Sequence, residues 1–311
     1  MKKIKVGVVG VGRLGKEHAR LYSLLPDVDL TGVVDIDHRR AQEVAVQCQT
    51  VGYRDYKELY ERVEAISIAV PTDLHFPIAR DFLKRGIHLL LEKPITRTTE
   101  EAEELIKLAD RDKLVFQVGH IERYNAAIRE VEGLVDSPRF IESHRLAPYQ
   151  PRGTEVGVVL DLMIHDLDII LHLVDSPLKR IEAVGVAVLS QHEDIANVRL
   201  LFQNGCVANV TSSRLSREKM RKLRIFQSDS YISLDFLTQK IDLYREKEGT
   251  ISGEKISPPK LEPLGLEIKD FVECVVKKRS PLVSGEEGKE VLKVALEIER
   301  QIYNQTLAHR H

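Results

Sequence analysis

Gly10-Val11-Gly12-Arg13-Leu14-Gly15 restricts what this 311-residue chain can fold into more than any other feature. Residues 4–9 before it are an almost continuous apolar run, as in a strand covered on both faces. Residues 12–25 after it place Leu14, Ala19, Leu21 and Leu24 at helical spacing. In a strand–turn–helix of this kind the first glycine permits the tight turn and the second lets phosphates approach the backbone. The third lets helix and strand pack closely. The helix N-terminus then offers unpaired N–H groups and a partial positive charge. Asp35 follows a second β-rich run at 30–34 and lies 20 residues beyond Gly15, where a carboxylate can accept hydrogen bonds from an adenosine ribose. These residues predict a dinucleotide site made of Gly10, Gly12, Arg13, Leu14, Gly15 and Asp35. Asp35 would repel a 2′-phosphate, so NAD is expected ahead of NADP, with Arg39 and Arg40 as the nearby groups able to accommodate one.

Strands and helices keep alternating up to residue 118. Strand-like runs at 65–70, 87–91 and 114–118 are separated by helical spacing at 39–48, 71–85 and 100–109. That rhythm implies a doubly wound parallel sheet. Beyond Gly119, runs at 140–146, 181–189, 197–202, 206–212, 223–226 and 231–236 follow one another with turn formers such as Asn204-Gly205. A helix at 160–174 interrupts them, and two more, at 264–277 and 286–306, close the chain. The expected architecture is α/β: a Rossmann domain over 1–118, then an α+β domain over 119–311 with a mainly antiparallel open sheet, whose last helix is free to pack back onto the first domain. An open sheet leaves one face for a second copy, so a homodimer or homotetramer is expected.

Charge narrows the partners. Acidic and basic residues number 48 and 46, a balance unlike that of a nucleic-acid binder. Three dispersed cysteines, Cys48, Cys206 and Cys274, form no CxxC pair and suggest neither a disulfide framework nor a thiolate zinc site. The apolar start is broken by Lys5 and reads as a buried strand, not a signal peptide. No apolar run approaches the roughly 18 residues of a membrane helix, and a cytoplasmic protein with no membrane partner is expected.

The third strand runs into Pro71-Thr72-Asp73-Leu74-His75, the fourth ends in Glu92-Lys93-Pro94, and the second domain carries Asp161-Leu162-Met163-Ile164-His165-Asp166. With the glycine turn, these segments resemble the Gfo/Idh/MocA family of sugar and cyclitol dehydrogenases; Met163 stands where that family usually has glycine. The stretches 119–125 and 161–168 most resemble the members that oxidise the 3-hydroxyl of UDP-N-acetylglucosamine. The resemblance implies hydride transfer from a sugar hydroxyl to NAD. A free sugar or inositol is the alternative substrate, and a non-catalytic NAD-binding regulator the alternative class. It places Lys93 beside the nicotinamide, where partial burial and a cationic ring favour the neutral amine. It makes His165 the general base, since imidazole titrates nearest working pH. Asp161, four residues earlier, orients substrate or imidazole. The division of proton transfer between Lys93 and His165 stays open.

Pro71, Thr72, His75 and Glu92 complete the expected cofactor contacts, although Thr72 and His75 could instead cap the following helix, and Glu92 could be architectural. Arg123, Arg145, Arg152 and Tyr149 flank the motifs and are the expected substrate contacts. The basic run Arg214 to Arg224 suits either a pyrophosphate or a solvated strand edge. Asp161, His165, Asp168 and His172 recur along one helix stripe and could ligate a metal, but the family chemistry needs none and no metal is expected.

Overall fold

The computed structural model describes residues 3–150, 156–247 and 249–308. The chain divides into two compact units, Met1–Ile121 with Glu262–Leu292, and Glu122–Leu261 with Lys293–His311.

The first unit runs β1 (Ile4–Val9), α1 (Gly15–Leu24), β2 (Val28–Val34), α2 (His38–Cys48), β3 (Gly52–Tyr53), β4 (Ala65–Ile68), α3 (His75–Leu83), β5 (His88–Glu92), α4 (Thr99–Arg111) and β6 (Phe116–Gly119). Among the described residues six strands form a parallel sheet in the order β3-β2-β1-β4-β5-β6. The chain leaves β1 toward β2 and later returns to β1's other side as β4. The carboxyl ends of β1, β2 and β4 therefore flank the point where strand order reverses, the place where open α/β sheets bind ligands. Val6, Val8, Ile66, Ile68 and Leu89 to Leu91 are fully buried, which is why these strands read as unbroken apolar runs.

The second unit begins with α5 (Ala126–Glu132), β7 (Phe140–Leu146) and α6 (Ile164–Val174), the last preceded by a π-turn over Val159–Met163. Then come β8 (Leu178–Val186), β9 (Ile195–Phe202), β10 (Val207–Ser213), β11 (Met220–Phe226), β12 (Ser230–Asp235), β13 (Lys240–Lys247) and β14 (Thr250–Ile256). The eight strands described here order as β14-β13-β12-β11-β7-β10-β9-β8, antiparallel except for β7 against β10. One face buries Ile141, Val198, Leu200, Val210, Leu223, Ile225, Ile232 and Leu234. The other carries a row of aromatic rings in register: Phe140, Phe226, Tyr231 and Tyr244, with successive centroids 5.6, 4.7 and 5.8 Å apart.

The sequence reading assigns residues 119–311 to the second domain, with only the last helix free to pack back onto the first. Contacts instead return 262–292 to the first unit. The reason is α7 (Pro263–Lys277), whose Leu264, Ile268, Phe271, Val272 and Val275 are buried in the same core as Ile4, Leu21, Tyr22 and Val28. An amphipathic pattern shows that a helix has a buried face, not which sheet it covers. The chain ends in α8 (Gly285–Ala308). Among the described residues no helix is long and apolar enough to cross a membrane.

Candidate active site

The dinucleotide turn has the stereochemistry its glycines suggest. Gly10 has φ +83°, and a Cβ there would stand 2.6 Å from the Ala69 carbonyl oxygen. A Cβ on Gly15 would run into the Gly10 carbonyl, whereas one on Gly12 would meet nothing within 4 Å. The turn is therefore packed on the sheet side and open at Gly12, with Arg13 and Leu14 exposed beyond it. Gly12, Arg13, Lys16, Arg40 and Glu43 line a surface cavity of about 530 Å³.

Asp35 is held before any ligand arrives. Val11 N–H donates to its Oδ2 at 3.1 Å and Asp37 N–H to its Oδ1 at 2.9 Å. Arg40 Nη1 lies over both oxygens, at 3.3 and 3.2 Å, while Arg39 turns outward to Glu43. Of the two arginines singled out from the sequence, Arg40 is the one beside Asp35.

His75 is 1% exposed; its Nδ1 lies 2.9 Å from the Pro94 carbonyl and its Nε2 3.0 Å from that of Val70. It ties the loop after β4 to the turn after β5. Burial pushes its pKa down, against the opposing pull of these two carbonyls. Neither the short helix at Thr72 nor α3 has a side-chain cap, so the capping alternative for Thr72 and His75 falls away. Glu92 is engaged inside the unit: Oε1 lies 3.1 Å from His18 Nε2, and Oε2 accepts from Lys93 N–H at 3.3 Å. His18 in turn places Nδ1 2.7 Å from Ser67 Oγ. With Glu267 these groups form a buried cluster whose potential ligand atoms lie within 4.8 Å, the one group among the described residues gathered tightly enough to hold a metal. The sequence reading missed it; its one signal was His18 three residues after Gly15, on the face of α1 that meets the sheet.

In the second unit the π-turn carries Asp161 and the first turn of α6 carries His165, both partly exposed. The neighbouring acids point inward. Asp166 takes Arg145 in a fork, 2.6 Å from Nε and 3.2 Å from Nη2, and also accepts from Ser143 at 2.9 Å. Arg145 Nη1 reaches Glu122 at 3.0 Å, and Arg123 pairs with Asp168 at 3.4 Å.

These pairings revise the sequence reading. It sets Arg123 and Arg145 against the substrate; the structure buries them to 2% and 1% exposure in ion pairs. Buried guanidinium groups need such partners, because unpaired charge in the interior is costly. A partly exposed cation in this region is Arg221, opposite Arg145 in the β7–β11 register, 3.4 Å from Glu122 and within reach of the charge of Asp161. Burial and the charge of Arg145 lower its pKa. The rest of the basic run is dispersed: Arg214 is buried against Val156 O at 2.7 Å, Arg224 pairs with Glu142 at 2.8 Å, and Arg217 and Lys219 are exposed. Tyr149 is 39% exposed, and Arg152 lies outside the described residues. The stripe of Asp161, His165, Asp168 and His172 does not converge, since Asp168 faces Arg123 and His172 faces Glu132 at 3.3 Å.

A Rossmann sheet with a buried carboxylate, Asp35, just after β2, joined to an open-sheet α+β unit, defines the class: an NAD-dependent oxidoreductase. Residues 4–120 match the oxidoreductase family's NAD-binding Rossmann fold and residues 127–233 the GFO/IDH/MocA C-terminal domain. The chain is 38% identical to UDP-N-acetylglucosamine 3-dehydrogenase of Acidithiobacillus ferrooxidans, over 96% of this chain and 97% of that protein. It superposes on a solved structure of that enzyme with a TM-score of 0.92, covering 97% and 98% of the two chains at 37% identity. A myo-inositol 2-dehydrogenase of Thermotoga maritima is 23% identical over 93% of each chain. This protein belongs to the Gfo/Idh/MocA oxidoreductase family.

Proposed function

We propose that the chain oxidises the 3-hydroxyl of UDP-N-acetylglucosamine to a ketone. The observation that carries this reading is 38% identity across 96% of the chain to the enzyme named for that reaction. NAD, when bound, would supply the hydride acceptor for this oxidation. The hydroxyl proton leaves to this chain's own groups: Lys93 and His165 are the proposed acceptors, and Asp161 is the proposed orienting group for the hydroxyl or the imidazole. Gly10, Gly12, Arg13, Leu14, Gly15 and Asp35 would hold the dinucleotide, together with Pro71, Thr72, His75 and Glu92. Tyr149, Arg152 and Arg221 are the proposed substrate contacts, Arg221 replacing Arg123. Guanidinium forks suit the pyrophosphate of a nucleotide sugar.

Two further properties belong to this reading. The aromatic row on the open face is the surface a second copy covers, giving a homo-oligomer. The three cysteines are buried as free thiols, in keeping with a reducing cytoplasm.

Purified protein mixed with NAD and UDP-N-acetylglucosamine should produce reduced nicotinamide, read by absorbance, with little from N-acetylglucosamine or myo-inositol. Turnover of inositol with none of the nucleotide sugar would overturn the assignment.

A further inference from the structure

Glu193, in the loop between β8 and β9, grips the start of the helix that presents Asp161 and His165. Its backbone carbonyl accepts from Val158 N–H at 3.0 Å and its side-chain Oε1 from Val159 N–H at 3.2 Å. These are among the donors that a helix start leaves without an internal partner. A Cβ at position 157 would fall inside the Glu193 carboxylate, so any larger residue there must push that side chain out of its seat. One residue earlier, Arg214 holds the Val156 carbonyl at 2.7 Å. Both grips are anchored through Asp194, which is fully buried. Its Oδ2 accepts from Val188, Leu189 and Ser190 N–H at 2.8, 2.6 and 2.9 Å, and its carbonyl accepts from Arg214 N–H at 2.9 Å.

What is gripped is a π-turn, a short departure from α-geometry that depends on its surroundings to persist. Closing it into a regular helix changes the register by one residue. That rotates Asp161 by roughly 100° about the axis relative to His165, at 3.6 residues per turn.

We propose that Glu193 is a positioning residue for the oxidation: its carboxylate, seated in the space left by Gly157, fixes the register of the π-turn and so the relative placement of Asp161 and His165. This rests on the proposed function, in which those two side chains act on the substrate.

The test is steady-state kinetics on the full chain with NAD and UDP-N-acetylglucosamine, alongside NAD binding measured separately. Glu193→Ala should lower kcat by roughly 10²-fold, the effect of a misplacement of about 1 Å, with NAD affinity unchanged. Glu193→Gln, whose amide oxygen still accepts from Val159, should recover most of that loss. Gly157→Ala alone should impair kcat as Glu193→Ala does, yet cost little more in the Glu193→Ala background, because the two substitutions break one contact. Wild-type kcat in Glu193→Ala, equal losses in the Ala and Gln variants, or additive losses in the double variant would each overturn the proposal. Should Glu193→Ala fail to fold, Glu193→Gln must be active and Gly157→Ala impaired in kcat with NAD binding intact; any other result overturns it. His165→Ala separates the two levels: full turnover there rejects the site itself, whatever Glu193 does.

Discussion

Asp166 grips Arg145 along one edge of the guanidinium, at 2.6 Å from Nε and 3.2 Å from Nη2, with both residues 2% exposed or less. Glu122 takes a third donor, yet the fork is the contact that orients the guanidinium. Asp166→Ala leaves a buried cation with half its partners and should destabilise the protein by about 3–5 kcal/mol. Arg224 and Glu142, 2.8 Å apart but 40% and 30% exposed, provide the contrast. Glu142→Ala should cost no more than about 1 kcal/mol. Urea unfolding of the two variants checks both values; equal losses would mean that burial is not what sets the cost.

Lys93 and His165 are expected to separate chemistry from cofactor binding. Lys93→Ala and His165→Ala should each lower kcat by roughly 10²- to 10⁴-fold, the usual contribution of a positioned acid or base. NAD titration should give affinities near wild type, because the turn and Asp35 are untouched. Normal turnover in both would refute the proposed proton path.

The parts of this molecule legible in its sequence are those whose partners are near in the chain. The turn at Gly10 to Gly15 is set by local backbone sterics, and the strands around it are buried on both faces, so pattern and structure agree. The charged residues were another matter. Arg123 and Arg145 flank the motifs and look like ligand contacts until the fold brings them to Asp168 and Asp166, 45 and 21 residues away. His18 gives no sign of Glu92 for the same reason. The hairpin of β13 and β14 escaped because residues 240–256 are charge-rich; the strand shows only in Ile241 and Leu243, both buried. The clamp on the π-turn was illegible because Glu193 follows Gly157 by 36 positions, and only the β8–β9 loop returns it there.

Arg40 bears on cofactor choice. Its guanidinium neutralises Asp35, the carboxylate that would otherwise repel a 2′-phosphate. Arg40→Ala should therefore raise the preference for NAD, with kcat/KM for NADP falling by about tenfold or more, the equivalent of one lost charge-assisted contact. Asp35→Ala should do the reverse, weakening NAD while sparing NADP. The ratio of the two kcat/KM values is the measurement, and a ratio unmoved by Arg40→Ala would show that the bridge plays no part in selection.

Tyr231 stands inside the aromatic row on the open face, stacked on Phe226 at 4.7 Å and on Tyr244 at 5.8 Å. Tyr231→Glu puts a carboxylate into that row, where a free monomer can solvate it and a dry interface cannot. Sedimentation should show a smaller species than wild type with the far-UV spectrum kept. An unchanged mass would move the interface elsewhere.

Glu299, on α8, has its carboxyl pushed up to about 7 by burial and by the charge of Glu193. A group whose pKa is raised on folding binds its proton more tightly in the native state. Its contribution to stability is complete below the unfolded value of 4.5 and is lost as pH rises through about 7. Wild-type Tm should therefore carry a declining component across that window. Glu299→Gln keeps the volume, cannot ionise, and should remove that component, leaving the variant more stable than wild type above pH 7. Thermal melts at half-unit steps of pH give the comparison directly. Parallel curves for the two proteins would mean that Glu299 titrates normally and that solvent reaches the Glu193 pair.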